Sequence, residues 1–167
     1  MKVISVEALT RDSFNGYGEF FDVDHVFPKE LLESDWTFEI VSREYLHTFL
    51  GRFESEAGFS VGLVKKADMK VCEMRRNIHG QKSMLLDKDS VMLVALPFYG
   101  NSYDDQSEKA FLIPAGVMVN LDAGIWHSRP FIVGDEMANY IQCEAQQVFA
   151  TDYTDKCLDE EIELVLK

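Results

Sequence analysis

The stretch Val119–Phe131, VNLDAGIWHSRPF, holds two apolar segments separated by a tight turn. The turn is Asp122–Gly124, because aspartate favours turns and glycine supplies the backbone freedom that they need. Residues of a strand alternate between its two faces, so Trp126 points to one side and His127, with Ile125, to the other. The stretch therefore predicts a strand that begins directly after a turn and carries a histidine near the mouth of a β-structure.

Short β-like segments recur on both sides of this stretch, at spacings of roughly ten residues, and turn residues separate most of them. Many short strands with few helical patterns predict an antiparallel sandwich or closed barrel. The predicted strands are Lys2–Val6, Trp36–Ser42, Phe59–Lys65, Met69–Arg75, Ser90–Phe98, Lys109–Pro114, Gly116–Leu121, Ile125–Val133 and Met137–Ala145.

Two segments favour helices instead of strands. Pro28–Glu33 is compatible with one or two helical turns, with its proline at the first helical position. Lys156–Leu166 places Leu158, Ile162 and Val165 on one helical face, although its last residues also suit an edge strand. We therefore expect a helical tail after a β domain.

The length and composition of the chain indicate one globular domain. Its 167 residues are 47% hydrophobic and 12% aromatic, which is enough to bury one sizeable core. We expect the domain to span residues 1–167, with its core at about 36–150 and a tail at 151–167. The 16 basic and 29 acidic residues give a formal net charge of −13. This charge repels phosphate backbones, so nucleic acid is not expected as a partner.

The chain shows no pattern of a membrane or secreted protein. Its first residues lack the apolar core of a secretory signal, which predicts residence in the cytoplasm. The longest apolar run, Val91–Tyr99, has nine residues and is too short to span a bilayer. Cys72, Cys143 and Cys157 share no short spacing, so they predict neither a disulfide framework nor a zinc site.

Three stretches together resemble the ureidoglycolate lyase family, a branch of the cupin superfamily. Phe14–Gly18 resembles the opening element of the family, and Glu73–Lys82 falls where the family carries a strand and turn of similar sequence. Val119–His127 resembles its signature of Val-Asn, a turn and Trp-His, followed here by Pro130 and Phe131. The resemblance covers most of residues 1–145. It implies a mainly β, cupin-type double-stranded β-helix (jelly-roll) barrel with few short helices.

The chain departs from the pattern of the family at two positions. Asn77 stands where the second motif carries a histidine, and His79 follows two residues later. Ser128 stands where the family usually has a second histidine after Trp-His.

The resemblance implies a carbon–nitrogen (amidine-type) lyase that splits ureidoglycolate into glyoxylate and urea in purine breakdown. It also implies a homodimer. The reaction needs a base for the hydroxyl proton, an acid for the leaving nitrogen and a cation for the carboxylate. The candidate catalytic residues are His127, Glu73 and Asp122, and the candidate substrate-binding residues are Arg75, Asn120, Asn77 and Tyr17.

The chemistry of individual residues supports some of these roles. Imidazole titrates near neutral pH, which favours His127 as the acid or base. The planar guanidinium of Arg75 matches a carboxylate. If residues 73–79 are extended, four polar side chains spaced two residues apart lie on the same face: Glu73, Arg75, Asn77 and His79. That face points either to a polar interior or to solvent.

A metal site has limited support. The chain has four histidines and no His-x-His pair: His25, His47, His79 and His127. The position where a cupin would offer a later metal-binding histidine holds Val119, which excludes three imidazoles from the standard positions. A divalent metal bound by His79 and His127, with Glu73 or Asp122, stays open. We interpret the other two histidines as surface or packing residues.

Two other functions fit the same residues. One is a non-catalytic cupin that binds a sugar or a small carboxylic acid. The other is a carbohydrate isomerase or epimerase that uses the same histidine and arginine.

Overall fold

A computed structural model describes residues 1–22, 57–145 and 152–167 of the chain. In these ranges the chain forms twelve β-strands and one helix of four residues. The elements in chain order are β1 (Lys2–Ala8), α1 (Arg11–Phe14), β2 (Gly18–Asp22), β3 (Ala57–Lys65), β4 (Lys70–Asn77), β5 (Lys82–Leu86), β6 (Ser90–Ala95), β7 (Lys109–Ile113), β8 (Val117–Leu121), β9 (Trp126–His127), β10 (Phe131–Ile132), β11 (Met137–Ala145) and β12 (Tyr153–Val165). The predicted mainly β fold with little helix is confirmed.

The strands form two sheets, as expected for a jelly-roll type of architecture. Seven strands pair in the order β10-β6-β7-β1-β12-β4-β9, and an additional pairing of β6 with β9 closes six of them into a ring. The other five pair in the order β2-β8-β5-β11-β3. The first strand departs from the antiparallel prediction, because β1 runs parallel to both β7 and β12. No tight turn joins β1 to either neighbour, so nothing local requires an antiparallel pair.

Buried apolar side chains form two clusters. The first cluster draws on both sheets, with Met84 from the five-stranded sheet and Phe111 from the seven-stranded sheet, so it fills the space between them. The second cluster draws on the ring of strands and includes Trp126. Neighbours along β6 divide between the two clusters, Val94 in the first and Leu93 in the second, because strand side chains alternate.

The N-terminal segment reaches the five-stranded sheet through α1 and β2. Thr10 caps the helix by accepting a hydrogen bond from the Ser13 amide at 3.1 Å, and Phe14 at the helix end is buried. Gly18 has a φ of +148°, and a Cβ atom there would lie 2.0 Å from the backbone oxygen of Asn120. Glycine is therefore required for β2 to approach β8 this closely.

The C-terminal tail is a strand, and the predicted helix over Lys156–Leu166 is wrong. β12 pairs with β1 and β4, with a register irregularity between Cys157 and Ile162. Ile162 and Leu164, two residues apart, are both buried in the second cluster. The tail pattern alone suits either structure, since apolar residues three or four apart also fit a helix. The partner strands decide between them, and they lie far away in the sequence.

Most of the other predicted strands are confirmed. β11 has the predicted bounds, whereas the predicted strand Ile125–Val133 is divided into β9 and β10. The sequence pattern does not predict β2 or β5, which have five residues each. Pro28–Glu33, Trp36–Ser42, His25 and His47 lie outside the described residues. Within the described ranges, no helix is long and apolar enough to cross a membrane.

Candidate functional site

Strand β9 positions the histidine that the sequence singles out. Gly124 precedes the strand with a φ of +87°, and its amide donates to the backbone oxygen of Asn77 at 2.7 Å. His127 lies opposite Arg75 of β4 and Val94 of β6, so two neighbouring strands fix its place in the sheet. Trp126 points away from it into the second cluster, as strand alternation predicts.

Both sheets line a cavity of about 390 Å³ that includes His127 in its wall. This volume suits a small organic molecule. Polar and aromatic side chains reach the wall from six strands: Lys65 on β3, Arg75 on β4, Lys82 on β5, His127 on β9, Tyr140, Gln142 and Glu144 on β11, and Tyr153 on β12.

The described wall of the cavity is strongly cationic. Five of its side chains carry a positive charge and one carries a negative charge. The cations are Lys65, Lys66, Arg75, Lys82 and Arg129, and the anion is Glu144. The whole chain carries a net charge of −13, so this wall has the opposite sign to the rest of the protein. A positive cavity with apolar walls concentrates small anions.

His127 is a buried and neutral imidazole, with 3% of its surface exposed. Its Nδ1 atom lies 3.2 Å from the Ile125 backbone oxygen, which assigns the ring proton to Nδ1. Its Nε2 atom has no hydrogen-bond partner among the described residues. Burial, together with the positive charges of Lys82 and Arg75, holds the pKa of the imidazole well below 6.5. His127 lines the cavity, and its buried Nε2 is therefore unprotonated at physiological pH.

Lys82 and Glu144 form a buried ion pair. Lys82 Nζ lies 3.7 Å from Glu144 Oε2, and their side chains are 13% and 10% exposed. Asn77 Nδ2 donates to the same oxygen at 3.4 Å, and Gln142 Nε2 donates to Glu144 Oε1 at 2.8 Å. Burial lowers the pKa of Lys82, the Glu144 carboxylate opposes this, and the charge of Arg75 adds to the lowering. The ammonium is therefore easier to deprotonate than that of an exposed lysine.

Arg75 lies beside this pair and lines the cavity. One terminal nitrogen of its guanidinium donates to Glu73 Oε1 at 2.7 Å, and the group lies 5.5 Å from the centre of the Tyr153 ring. Arg75 Nε has no hydrogen-bond partner among the described residues. The side chain is 31% exposed, so a ligand in the cavity can reach it.

The structure brings some of the predicted site residues together. Arg75 and His127 line the same cavity, and Asn77 lies behind it as a hydrogen-bond partner of Glu144. Glu73 does not line the cavity, and its carboxylate pairs with Arg75 instead. Glu73 therefore holds the guanidinium in place and is not positioned as a catalytic acid or base.

Three other predicted site residues lie elsewhere. Tyr17 does not line this cavity; its ring packs in the first cluster and its hydroxyl donates to the Ser107 backbone oxygen. Asn120 is buried and accepts a hydrogen bond from Ser83 Oγ at 2.8 Å. Asp122 lies in the exposed turn before β9 and accepts from a glutamine at 2.8 Å. The turn in the family-like motif thus positions His127, but neither Asn120 nor Asp122 adds a side chain to the cavity wall.

The structure does not assemble the mixed metal site. His79 is exposed, whereas His127 is buried and lines the cavity from β9. In residues 1–22, 57–145 and 152–167, no group of three or more histidine, cysteine, aspartate or glutamate side chains could hold a metal ion.

Most of the cavity residues were not identified as site residues from the sequence, among them Lys82, Tyr140, Glu144 and Tyr153. Along β11, Tyr140, Gln142 and Glu144 face the cavity, while Met137 and Ile141 on the other face are 52% and 45% exposed. Apolar residues normally mark the inner face of a strand, so the pattern of β11 points to the wrong side. Alternation along the strand correctly predicts that Tyr140 and Glu144 share one face of β11. It wrongly predicts that this face points to solvent, because the opposite face is the more apolar one.

We expect acid to destabilise the fold through His127. Its folded-state pKa is lowered, so below pH 6.5 the unfolded chain takes up a proton that the buried ring does not. This proton lowers the free energy of unfolding by up to about 1.4 kcal/mol per pH unit. Urea unfolding of the wild type and His127→Gln, at about pH 7.5 and about pH 5.5, measures the effect. The wild type should lose more stability than the variant over this interval, and equal losses would contradict the assignment.

The chain is similar in structure to oxalate decarboxylase, at low sequence identity. No protein-family model and no curated protein sequence matches this chain. Two structures of Bacillus subtilis oxalate decarboxylase, one concerned with its Mn(II) centres, are each 12% identical with a TM-score of 0.43. A third, on the substrate binding mode of oxalate decarboxylase, is 12% identical with a TM-score of 0.42. Each match covers 62% of this chain and 24% of the other chain. A likeness of this size gives no information about the activity of this protein.

Proposed function

We propose that the cavity binds a small organic carboxylate and that the protein is an enzyme acting on it. One observation carries the proposal: a cationic cavity in a chain of net charge −13 has a buried neutral imidazole in its wall. Cations supply the binding energy for an anion, and an unprotonated imidazole accepts a proton in general base catalysis.

Arg75 is the proposed carboxylate-binding residue. Its side chain lines the cavity and is 31% exposed, and its guanidinium is held in place by Glu73 and the Tyr153 ring. Planar guanidinium and carboxylate groups match in geometry and form strong charge-assisted hydrogen bonds. A carboxylate bound here lies close to His127, because Arg75 and His127 are directly opposite each other on paired strands.

Ureidoglycolate is the specific substrate that we propose to test first. In its cleavage to glyoxylate and urea, His127 Nε2 would accept the hydroxyl proton, and the carbon–nitrogen bond would break as the carbonyl forms. The Lys82 ammonium would give a proton to the leaving urea nitrogen, with Glu144 holding Lys82 in place. The support for this assignment is that one cavity holds a cation for the carboxylate, a proton acceptor and a proton donor.

A non-catalytic protein that binds a small carboxylic acid is the second candidate. The observation that favours it concerns Glu144, the one carboxylate in the described cavity wall. Both oxygens of Glu144 contact protein groups, Asn77, Gln142 and Lys82, and not a ligand in the cavity. Incubation with racemic ureidoglycolate separates the two candidates, because only the enzyme releases urea and glyoxylate.

A matched pair of ligands tests the binding part of the proposal. Glycolate and glycolamide have similar size and differ in charge, so a thermal-shift titration of both isolates the role of the carboxylate. We expect glycolate to raise the melting temperature, since a ligand at 100 times its Kd adds about 2.7 kcal/mol of stability. Glycolamide should have little effect. Equal shifts with the two ligands, or none across a panel of small carboxylates, would refute the proposal.

A further inference from the structure

Lys82 differs from the other lysines of the cavity in its burial. Its side chain is 13% exposed, whereas Lys66 is 46% exposed and Lys65 also lies at the surface. Burying an ammonium group is costly, and a lysine used only to attract anions would work as well at the rim. We therefore expect the buried Lys82 to have a function other than attracting anions, which an exposed lysine could also do.

The neighbours of Lys82 match the needs of amine chemistry. Glu144 lies 3.7 Å from Nζ and can take up and return a proton. Arg75 lies close enough for its charge to lower the pKa of Lys82, and the charge of Lys82 in turn lowers the pKa of His127. Desolvation lowers the pKa of the amine, which increases the fraction of the nucleophilic neutral form.

We propose that Lys82 Nζ is a nucleophile that forms an imine with a 2-oxo carboxylate bound in the cavity. The inference rests on the proposed carboxylate site. Arg75 and Lys82 line the same cavity, so a 2-oxo carboxylate held by Arg75 shares that cavity with the Lys82 amine. The ligand class is thereby narrowed from small carboxylates to those with a carbonyl next to the carboxylate, which includes the glyoxylate that the proposed lyase reaction releases.

The proposed reaction balances without any further reactant. The Lys82 ammonium gives one proton to Glu144, and its lone pair forms a carbon–nitrogen bond to the carbonyl carbon. The carbonyl oxygen receives that proton, which gives a carbinolamine. The hydroxyl group then leaves as water with a second proton from nitrogen, again passed through Glu144, and a carbon–nitrogen double bond forms. The net change is ammonium plus ketone to protonated imine plus water.

Reductive trapping of the full chain tests this inference. The protein is incubated with pyruvate and sodium cyanoborohydride, which reduces a protonated imine to a stable secondary amine. Peptide mapping by mass spectrometry then compares the modification of Lys82 with that of Lys65 and Lys66 in the same sample. We expect Lys82 to react more than about tenfold faster, because orientation in a binding site accelerates a bimolecular step by far more than that. Pyruvamide, which lacks the negative charge, should label Lys82 much more slowly.

The outcomes separate this inference from the proposed function. If small carboxylates stabilise the protein but Lys82 reacts no faster than the two exposed lysines, the imine is refuted and the carboxylate site stands. Equal labelling of Lys82 by pyruvate and pyruvamide would refute the 2-oxo carboxylate class. If carboxylates neither stabilise the protein nor label Lys82, the proposed function fails together with the inference.

Discussion

Replacing Trp126 with alanine is expected to lower the free energy of unfolding by about 3–5 kcal/mol, as for other buried aromatic residues. The side chain is completely buried. Its ring lies 6.0 Å from the ring of Tyr103 and 4.8 Å from the Arg76 guanidinium, and its Nε1 donates to the Ser102 backbone oxygen at 3.2 Å. The substitution removes these contacts together and leaves a cavity inside the ring of strands. Urea unfolding measures the loss.

Tyr99 provides the matched control for this prediction. It is an aromatic residue that is 91% exposed, so Tyr99→Ala should change the stability by less than about 0.5 kcal/mol. A loss below about 1 kcal/mol for Trp126→Ala would mean that this side chain is not packed as described.

His127→Ala is expected to lower turnover of the substrate by about 10²–10⁴-fold, the usual contribution of a general base. The reason is the loss of Nε2, the neutral acceptor with no partner among the described residues. Turnover is measured as urea release from racemic ureidoglycolate. Because His127 is buried, the folded fraction of the variant is first checked by circular dichroism, and the rate is expressed per folded molecule.

The control for the histidine substitution is His79→Ala, which removes an exposed imidazole that does not line the cavity. We expect it to keep the turnover of the wild type. If the wild type turns over ureidoglycolate and His127→Ala does so at the same rate, His127 is not the base.

The sequence predicts the parts of the fold that depend on local patterns. The bounds of β11 and the turn before Trp126 follow from alternation and from turn residues. β12 is different, because its apolar spacing suits a helix as well as a strand. Its conformation is decided by β1 and β4, and the pairing of Lys2 with Ile162 joins opposite ends of the chain. No pattern within the tail contains that information.

The sequence predicts only part of the candidate site, again because local patterns do not show which distant strands pair. His127 follows from its motif, and Arg75 follows from the chemistry that a carboxylate requires. Lys82 and Glu144 become neighbours only because β5 pairs with β11, across an antiparallel register that the sequence does not reveal. The exposed apolar face of β11 also points the prediction away from Glu144. Alternation tells which residues share a face, but the fold decides which face is inside.

In the proposed site, Arg75 holds the carboxylate of the ligand. Calorimetric titration of the best-binding small carboxylate tests it on the wild type, Arg75→Ala and Arg76→Ala. Arg76 is the matched control, because it carries the same charge on the same strand but lies over Trp126, outside the cavity wall. We predict that Arg75→Ala weakens binding by about tenfold to a hundredfold, as expected for a lost charge-assisted hydrogen bond, while Arg76→Ala binds like the wild type. Equal affinity of Arg75→Ala and the wild type would contradict the account.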